Sequence, residues 1–215
     1  MKKCNIDICV ILDVDSMFGL YDRVSEFVRK FPVRLAYYWE KNYDYTVTKV
    51  RMRFSYLRSN GPFSVCVDDS APFSDCKTAV ENLDMYTGFL KREDTLHFPS
   101  ESHALVAVAK SLAYDWEKTE EEARHIVIVI TRKSVSQLLN AKDCGFSEEV
   151  EDVHDAINRA WDLGEGLNVR IDGEGKRLVI FSPASEWQNV QTFYDHCKWF
   201  GDSVKQEELY DFIIE

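Results

Sequence analysis

Three stretches of the chain have apolar centres with no polar position at period two: Ile8–Gly19 at Cys9–Leu12, then His125–Thr131 and Arg177–Ser182. Strands covered on both faces read this way, so three buried central strands are predicted. Between them the period changes. Tyr21, Val24, Phe27, Val28 and Phe31 recur at three- and four-residue steps, which predicts an amphipathic helix from about Phe18 to Phe31, ended or kinked by Pro32. The dense aromatic group Tyr37, Tyr38, Trp39, Tyr43 and Tyr45 is read as packing, because aromatic rings carry large burial terms.

Further along, Val47–Leu57 alternates apolar residues with Thr, Lys, Arg and Ser, a strand with one polar face. Gly61-Pro62 marks a turn, Phe63–Val67 a short strand, and Ser74 or Asp75 caps a helix to about Asn82. Met85–Ser102 carries little pattern and reads as a long loop, the kind that is often functional. Ala104–Trp116 is apolar nearly all round and predicts a well-buried helix, followed by a charged, solvated connection at Glu117–Glu122. Ser147–Leu163, the residues from Trp187 to Trp199, and Glu207–Ile214 have helical spacing. Strands alternating with helices predict an α/β fold with a doubly wound, mostly parallel central sheet and helices on both faces. At 215 residues one domain, 1–215, is expected.

Composition narrows the possibilities. A hydrophobic share of 45% with 29% charged residues excludes wholesale disorder. The net charge of −11 argues against nucleic acid as a partner, since that affinity rests on Lys and Arg neutralising phosphates. Lys49, Arg51, Arg53 and Arg58 are read as the solvated face of their strand. No secretory or membrane-spanning segment is recognised, so a cytoplasmic protein with no membrane partner is expected. The cysteines form no Cys-x-x-Cys pair and the five histidines no His-Glu-x-x-His motif, leaving zinc chemistry without support. Cys9 reads as a small core residue.

The chemistry gathers at the end of the first buried strand, where Asp13, Asp15 and Ser16 would be delivered to the crevice at which open α/β sheets hold ligands. The bland alternative is a helix cap.

The order of the pieces resembles the von Willebrand factor type A domain, in its cytosolic bacterial branch that includes tellurium-resistance-type proteins. The residues that carry the likeness are DVDSM at Asp13–Met17, HFPSES ahead of the helix ending in Asp115-Trp116, Arg124–Thr131, and Lys176–Pro183 with Trp187. The resemblance implies a non-enzymatic protein-interaction module that presents the carboxyl end of its sheet to a protein partner. It also implies a metal-ion-dependent adhesion site, with Asp13, Asp15 and Ser16 as first-loop ligands to Mg²⁺. The later ligand positions depart from the pattern. His97 stands where the second loop carries an acid, with Asp94 three residues away, and Arg132 stands where the third loop carries Asp. A degenerate site is therefore expected, with no cofactor or only weakly bound Mg²⁺, and with Arg132 or Lys133 paired to Asp13 or Asp15.

A second resemblance competes. ILDVDSMFG looks like the first motif of haloacid-dehalogenase-like phosphatases, in which Asp13 would be the nucleophile and Asp15 the acid and base, with Mg²⁺ on the phosphoryl group. Thr131, then Lys133 or Lys176, and Gly201-Asp202 would be the later motifs. Cys197–Phe200, which should then be a buried strand, reads instead as a helix end.

Overall fold

The computed structural model describes residues 1–17, 19–59, 65–90, 101–112, 114–117, 122–136, 153–158, 176–194, 196–201 and 203–215. Strand β1 (Lys2–Asp13) leads through a single 3₁₀ turn, Val14–Ser16, into helix α1 (Tyr21–Asn42), and then β2 (Tyr45–Ser59). Next come β3 (Val65–Asp68), β4 (Ser74–Asp75), α2 (Cys76–Leu90), β5 (Glu101–Ser102) and α3 (Ala104–Ser111). The remainder is β6 (Glu122–Ile130), β7 (Ser134–Val135), α4 (Val153–Asn158), β8 (Lys176–Phe181), α5 (Trp187–Val190), β9 (Cys197–Phe200) and α6 (Gln206–Ile214).

The main sheet runs β3-β2-β1-β6-β8-β9. Strands β2, β1, β6, β8 and β9 are mutually parallel, while β3 and β4 pair antiparallel with β2. This is the expected doubly wound, Rossmann-like arrangement of helices on both faces of a mostly parallel sheet. The period-two alternation of β1 divides the core into two layers. Ile6, Ile8, Val10 and Leu12 pack with α1, α2 and α6; Cys9 and Ile11 pack with α3, α4 and α5.

Several local expectations are corrected. Helix α1 continues through Pro32 to Asn42. A proline inside a helix costs about 3 kcal/mol, but Phe31, Leu35 and Trp39 extend the buried stripe beyond it, and each such side chain contributes about 1.5–3 kcal/mol on burial. The aromatic group does pack in part. Trp39 is fully buried and its Nε1 donates to the Tyr210 carbonyl, whereas Tyr37 is exposed.

The basic face of β2 is not simply solvated. Arg51 forms a two-point pair with the buried Asp7, at 2.9 and 2.6 Å, and Arg53 is buried with its guanidinium 3.4 Å from the centre of the Tyr114 ring. The segment after α3 covers that face, and α3 itself stops at Ser111 instead of continuing to Trp116. Glu117 is likewise engaged by Lys49 at 2.7 Å and Arg51 at 3.2 Å.

Met85–Leu90 is helical, part of α2, and Asp75 caps that helix by accepting from the Lys77 and Thr78 amides. Cys197–Phe200 is a strand, not the end of a helix. His196 takes a φ of 57°, the left-handed region that histidine tolerates better than most residues, just ahead of this edge strand.

Candidate functional site at the β1 and β6 carboxyl ends

Strand β1 continues to β2 on one side, and the chain returns to β6 on the other. The strand order therefore reverses between β1 and β6, and a crevice opens at their carboxyl ends. Asp13 closes β1, and Thr131 to Lys133 follow β6. The two-residue strands β5 and β7 pair in parallel, Glu101 with Ser134 and Ser102 with Val135, so the segment entering α3 is tied to the segment leaving β6. This clasp carries His103, at the N-terminus of α3, to the same crevice.

Asp13 is 1% exposed and both of its carboxylate oxygens face partners. The Thr131 hydroxyl donates to Oδ2 at 2.9 Å, and the Lys133 ammonium stands 3.3 Å from Oδ1. The same ammonium lies 3.8 Å from Oδ2 of Asp15, another buried carboxylate. Among the described residues no hydrogen bond is aligned on Asp13 Oδ1, so its contact with Lys133 is a charge pair and not a directed bond. Lys133 is fixed from behind. Its carbonyl accepts from Trp187 Nε1 at 2.8 Å and from Ser182 Oγ at 3.4 Å, and its amide donates to Thr131 Oγ1 at 3.2 Å.

Ser16 serves the backbone. Its hydroxyl donates to the Asp13 carbonyl at 2.9 Å and accepts from the Arg132 amide at 3.1 Å, joining the turn after β1 to the turn after β6. Tyr21 donates to the Val14 carbonyl at 3.1 Å, and burial pushes its phenol up to about 12. His103 is held below the ordinary histidine value of 6.5, first by burial and then by the Lys133 charge, against the opposing pull of Glu101 and Asp13. Among the described residues its Nδ1 is buried without a hydrogen-bond partner, as are the hydroxyls of Ser102 and Ser136.

Asp13, Asp15 and Ser16 lie together, and of the two cations the sequence offers, Arg132 or Lys133, it is Lys133 that stands beside the carboxylates. Arg132 is exposed. Asp94 and His97 lie outside the described residues, as does Asp202. Lys176, the other lysine considered, begins β8 opposite His125, at the far end of the sheet from Asp13. The sequence marks Thr131 and Trp187 but not their contacts with Lys133, nor that of Ser182. A hydroxyl closing the second buried strand and a tryptophan four residues after Pro183 were the available signals.

The described residues do not fit the divalent ion that the resemblance implies. Mg²⁺ demands oxygen ligands in a near-octahedral shell, yet Thr131 and Lys133 hold the Asp13 oxygens and the Ser16 hydroxyl is committed to backbone on both sides. Among the described residues no group of three or more His, Cys, Asp or Glu side chains is arranged to hold a metal.

No protein-family profile matches the chain, and no curated protein matches it. Solved structures do. The chain is similar to the pilus adhesin SpaC from Lactobacillus rhamnosus GG, with 13% identity and a TM-score of 0.48 over 99% of this chain and 31% of that one. It therefore spans less than a third of the adhesin. It is also similar to the TFIIH p34 N-terminal domain, with 9% identity and a TM-score of 0.48 over 98% of this chain and 96% of that domain. Among the described residues no helix is long and apolar enough to cross a membrane.

Proposed function

We propose that the chain is a non-enzymatic protein-interaction module of the von Willebrand factor type A kind, in which a lysine stands in the place of the metal ion. The observation that supports this reading is the Lys133 ammonium between the buried carboxylates of Asp13 and Asp15, at the point where the strand order reverses. A fixed monovalent charge there offsets the acidic pair and repels a divalent ion, leaving the carboxyl-end face as a structural surface for a protein partner.

One observation favours the phosphatase reading. Thr131 and Lys133 both reach Asp13, as the second and third motifs of that family would. Against it, a nucleophilic carboxylate must present a free oxygen to phosphorus, and Asp13 is enclosed with both oxygens engaged.

Two measurements on the purified chain test the proposal. Calorimetric titration with Mg²⁺ and Mn²⁺ is expected to give no micromolar binding, and p-nitrophenyl phosphate with Mg²⁺ is expected to give no turnover that Asp13→Asn removes. Micromolar binding would overturn the lysine-for-metal element. Turnover that depends on Asp13 would overturn the non-enzymatic reading.

A further inference from the structure

Three cavities lie end to end along one flank of the sheet, starting beside the Asp13 crevice, where Thr131, Arg132 and Ser182 line the first, and running away from it. The first, of about 470 Å³, opens beside Arg132 and is floored by Leu20, Val24 and Phe27 of the α1 side and Leu209 of α6. The second, of about 340 Å³, shares Arg23, Phe27 and Gln206 with the first and adds Lys30, Phe31 and Arg34. The third, of about 650 Å³, shares Arg34, Gln206 and Tyr210 with the second and ends at Val33, Tyr37 and Tyr38. The shared walls make them one groove between α1 and the start of α6. On the α1 side it follows positions 20, 23, 24, 26, 27, 30, 31, 33, 34, 37 and 38, a helical face with three- and four-residue steps. Eighteen helical residues rise roughly 27 Å.

The groove is apolar beneath and basic along its margins. Phe27, Phe31 and Tyr210 form a contiguous aromatic floor, with ring centres 5.3 Å apart for Phe27–Phe31 and 6.0 Å for Phe31–Tyr210. Among the described residues its walls carry five basic side chains, Arg23, Lys30, Arg34, Lys205 and Arg132, against two acidic ones, Glu26 and Glu207. In a chain of net charge −11 this is a local reversal of sign. Arg23 and Arg132 form no ion pair among the described residues, while Lys30 pairs with Glu26 and Arg34 donates to Gln206 Oε1 at 3.2 Å. At the far end Val33 and Tyr37 are 71% and 66% exposed, large apolar surfaces left open to water.

We infer that this groove docks an acidic amphipathic helix of a protein partner, laid along α1 with apolar side chains into the floor and carboxylates toward Arg23, Arg34 and Arg132. Length, apolar floor and spacing match the helix-in-groove mode, in which anchors recur at i, i+3 or i+4, and i+7. The margin charges select an acidic sequence and orient it. The inference rests on the proposed interaction role in taking the partner to be a protein, but it assigns the flank of the sheet in addition to its carboxyl-end face.

A random peptide library displayed on phage and selected on the full chain tests it, with the winning peptide then measured by fluorescence anisotropy. The expected winners are acidic, with apolar residues at helical spacing. Their affinity should fall by about tenfold or more in Arg23→Glu/Arg34→Glu, both exposed positions, and weaken with salt. Glu101→Lys, on the carboxyl-end clasp, should leave it unchanged, and circular dichroism should confirm that both variants remain folded. Winners lost in Glu101→Lys and indifferent to the arginine pair would overturn the groove while leaving the interaction role standing. Winners that are basic or lack the spacing would overturn the groove, and failure to enrich any peptide would count against both.

Discussion

Replacing Lys133 by methionine keeps most of the side-chain volume and removes only the charge. The ammonium it takes away is enclosed, with the side chain 8% exposed between Asp13 at 1% and Asp15 at 5%. Taking one partner from a buried ion pair typically costs about 3–5 kcal/mol, because the remaining charge is left uncompensated in a poor solvent. Here two carboxylates lose that charge, and among the described residues the Thr131 hydroxyl still donates to Asp13. For a chain of this size each kcal/mol moves the thermal midpoint by about 2–4 °C. The midpoint should therefore drop by roughly 6–20 °C. Urea denaturation followed by tryptophan fluorescence gives the free energy directly. A companion variant, Lys133→Ala, opens space beside the carboxylates and should acquire stabilisation by millimolar Mg²⁺ that the wild type lacks. At a hundredfold excess over the dissociation constant that amounts to about 2.7 kcal/mol. A loss below about 1 kcal/mol in Lys133→Met would show the pair behaving as a solvated surface contact, and the reasoning would fail.

Two other outcomes are expected. His125 is held below 6.5, first by burial, and its Nε2 lies 3.1 Å from the Glu117 carbonyl. Its neutral form is the folded one, so the unfolded chain takes up the proton first; stability is complete above 6.5 and is lost as pH falls below it. His103 shifts in the same direction and adds to the slope. Chemical denaturation between pH 7 and 5 should show that slope, and His125→Asn should reduce it; an unchanged slope would place the titration elsewhere. Asp7, buried at 2% and bound by Arg51 and the Glu117 amide, should cost about 3–5 kcal/mol when changed to Ala. A urea midpoint indistinguishable from wild type would show that Arg51 finds another acid at no loss, with Glu117 already 3.2 Å away.

The central strands were legible because burial on both faces leaves an unbroken apolar run, and the register of β1 between β2 and β6 is what that run requires. The switch point followed from strand and helix alternation, and it placed Asp13, Asp15 and Ser16 together. Tertiary burial defeated the local signals elsewhere. Pro32 read as a stop because a lone helix would break there, but Leu35 and Trp39 have a core to enter. The arginines of β2 read as solvated because alternation shows a polar face and not what covers it; Tyr114 and Phe73 do so here. The same gap explains Arg132. One position separates it from Lys133, and which of the two turns inward is decided by contacts remote in sequence, with Ser182 and Trp187 holding the Lys133 carbonyl.

The central position of β1 also sets an order of events during synthesis. One edge of this strand meets β2, beginning with Lys2 against Tyr45, while the other waits for β6, beginning with Cys4 against Glu122. At about 5–20 residues per second, the interval between the making of Cys4 and of Glu122 is roughly 6–24 s. Throughout that time the β6 edge of β1, with its apolar Ile8–Leu12 segment, has unpaired backbone groups and the character of an edge strand open to other chains. The strand that gives the finished fold its centre therefore waits with one edge unpaired while most of the sheet is still being made.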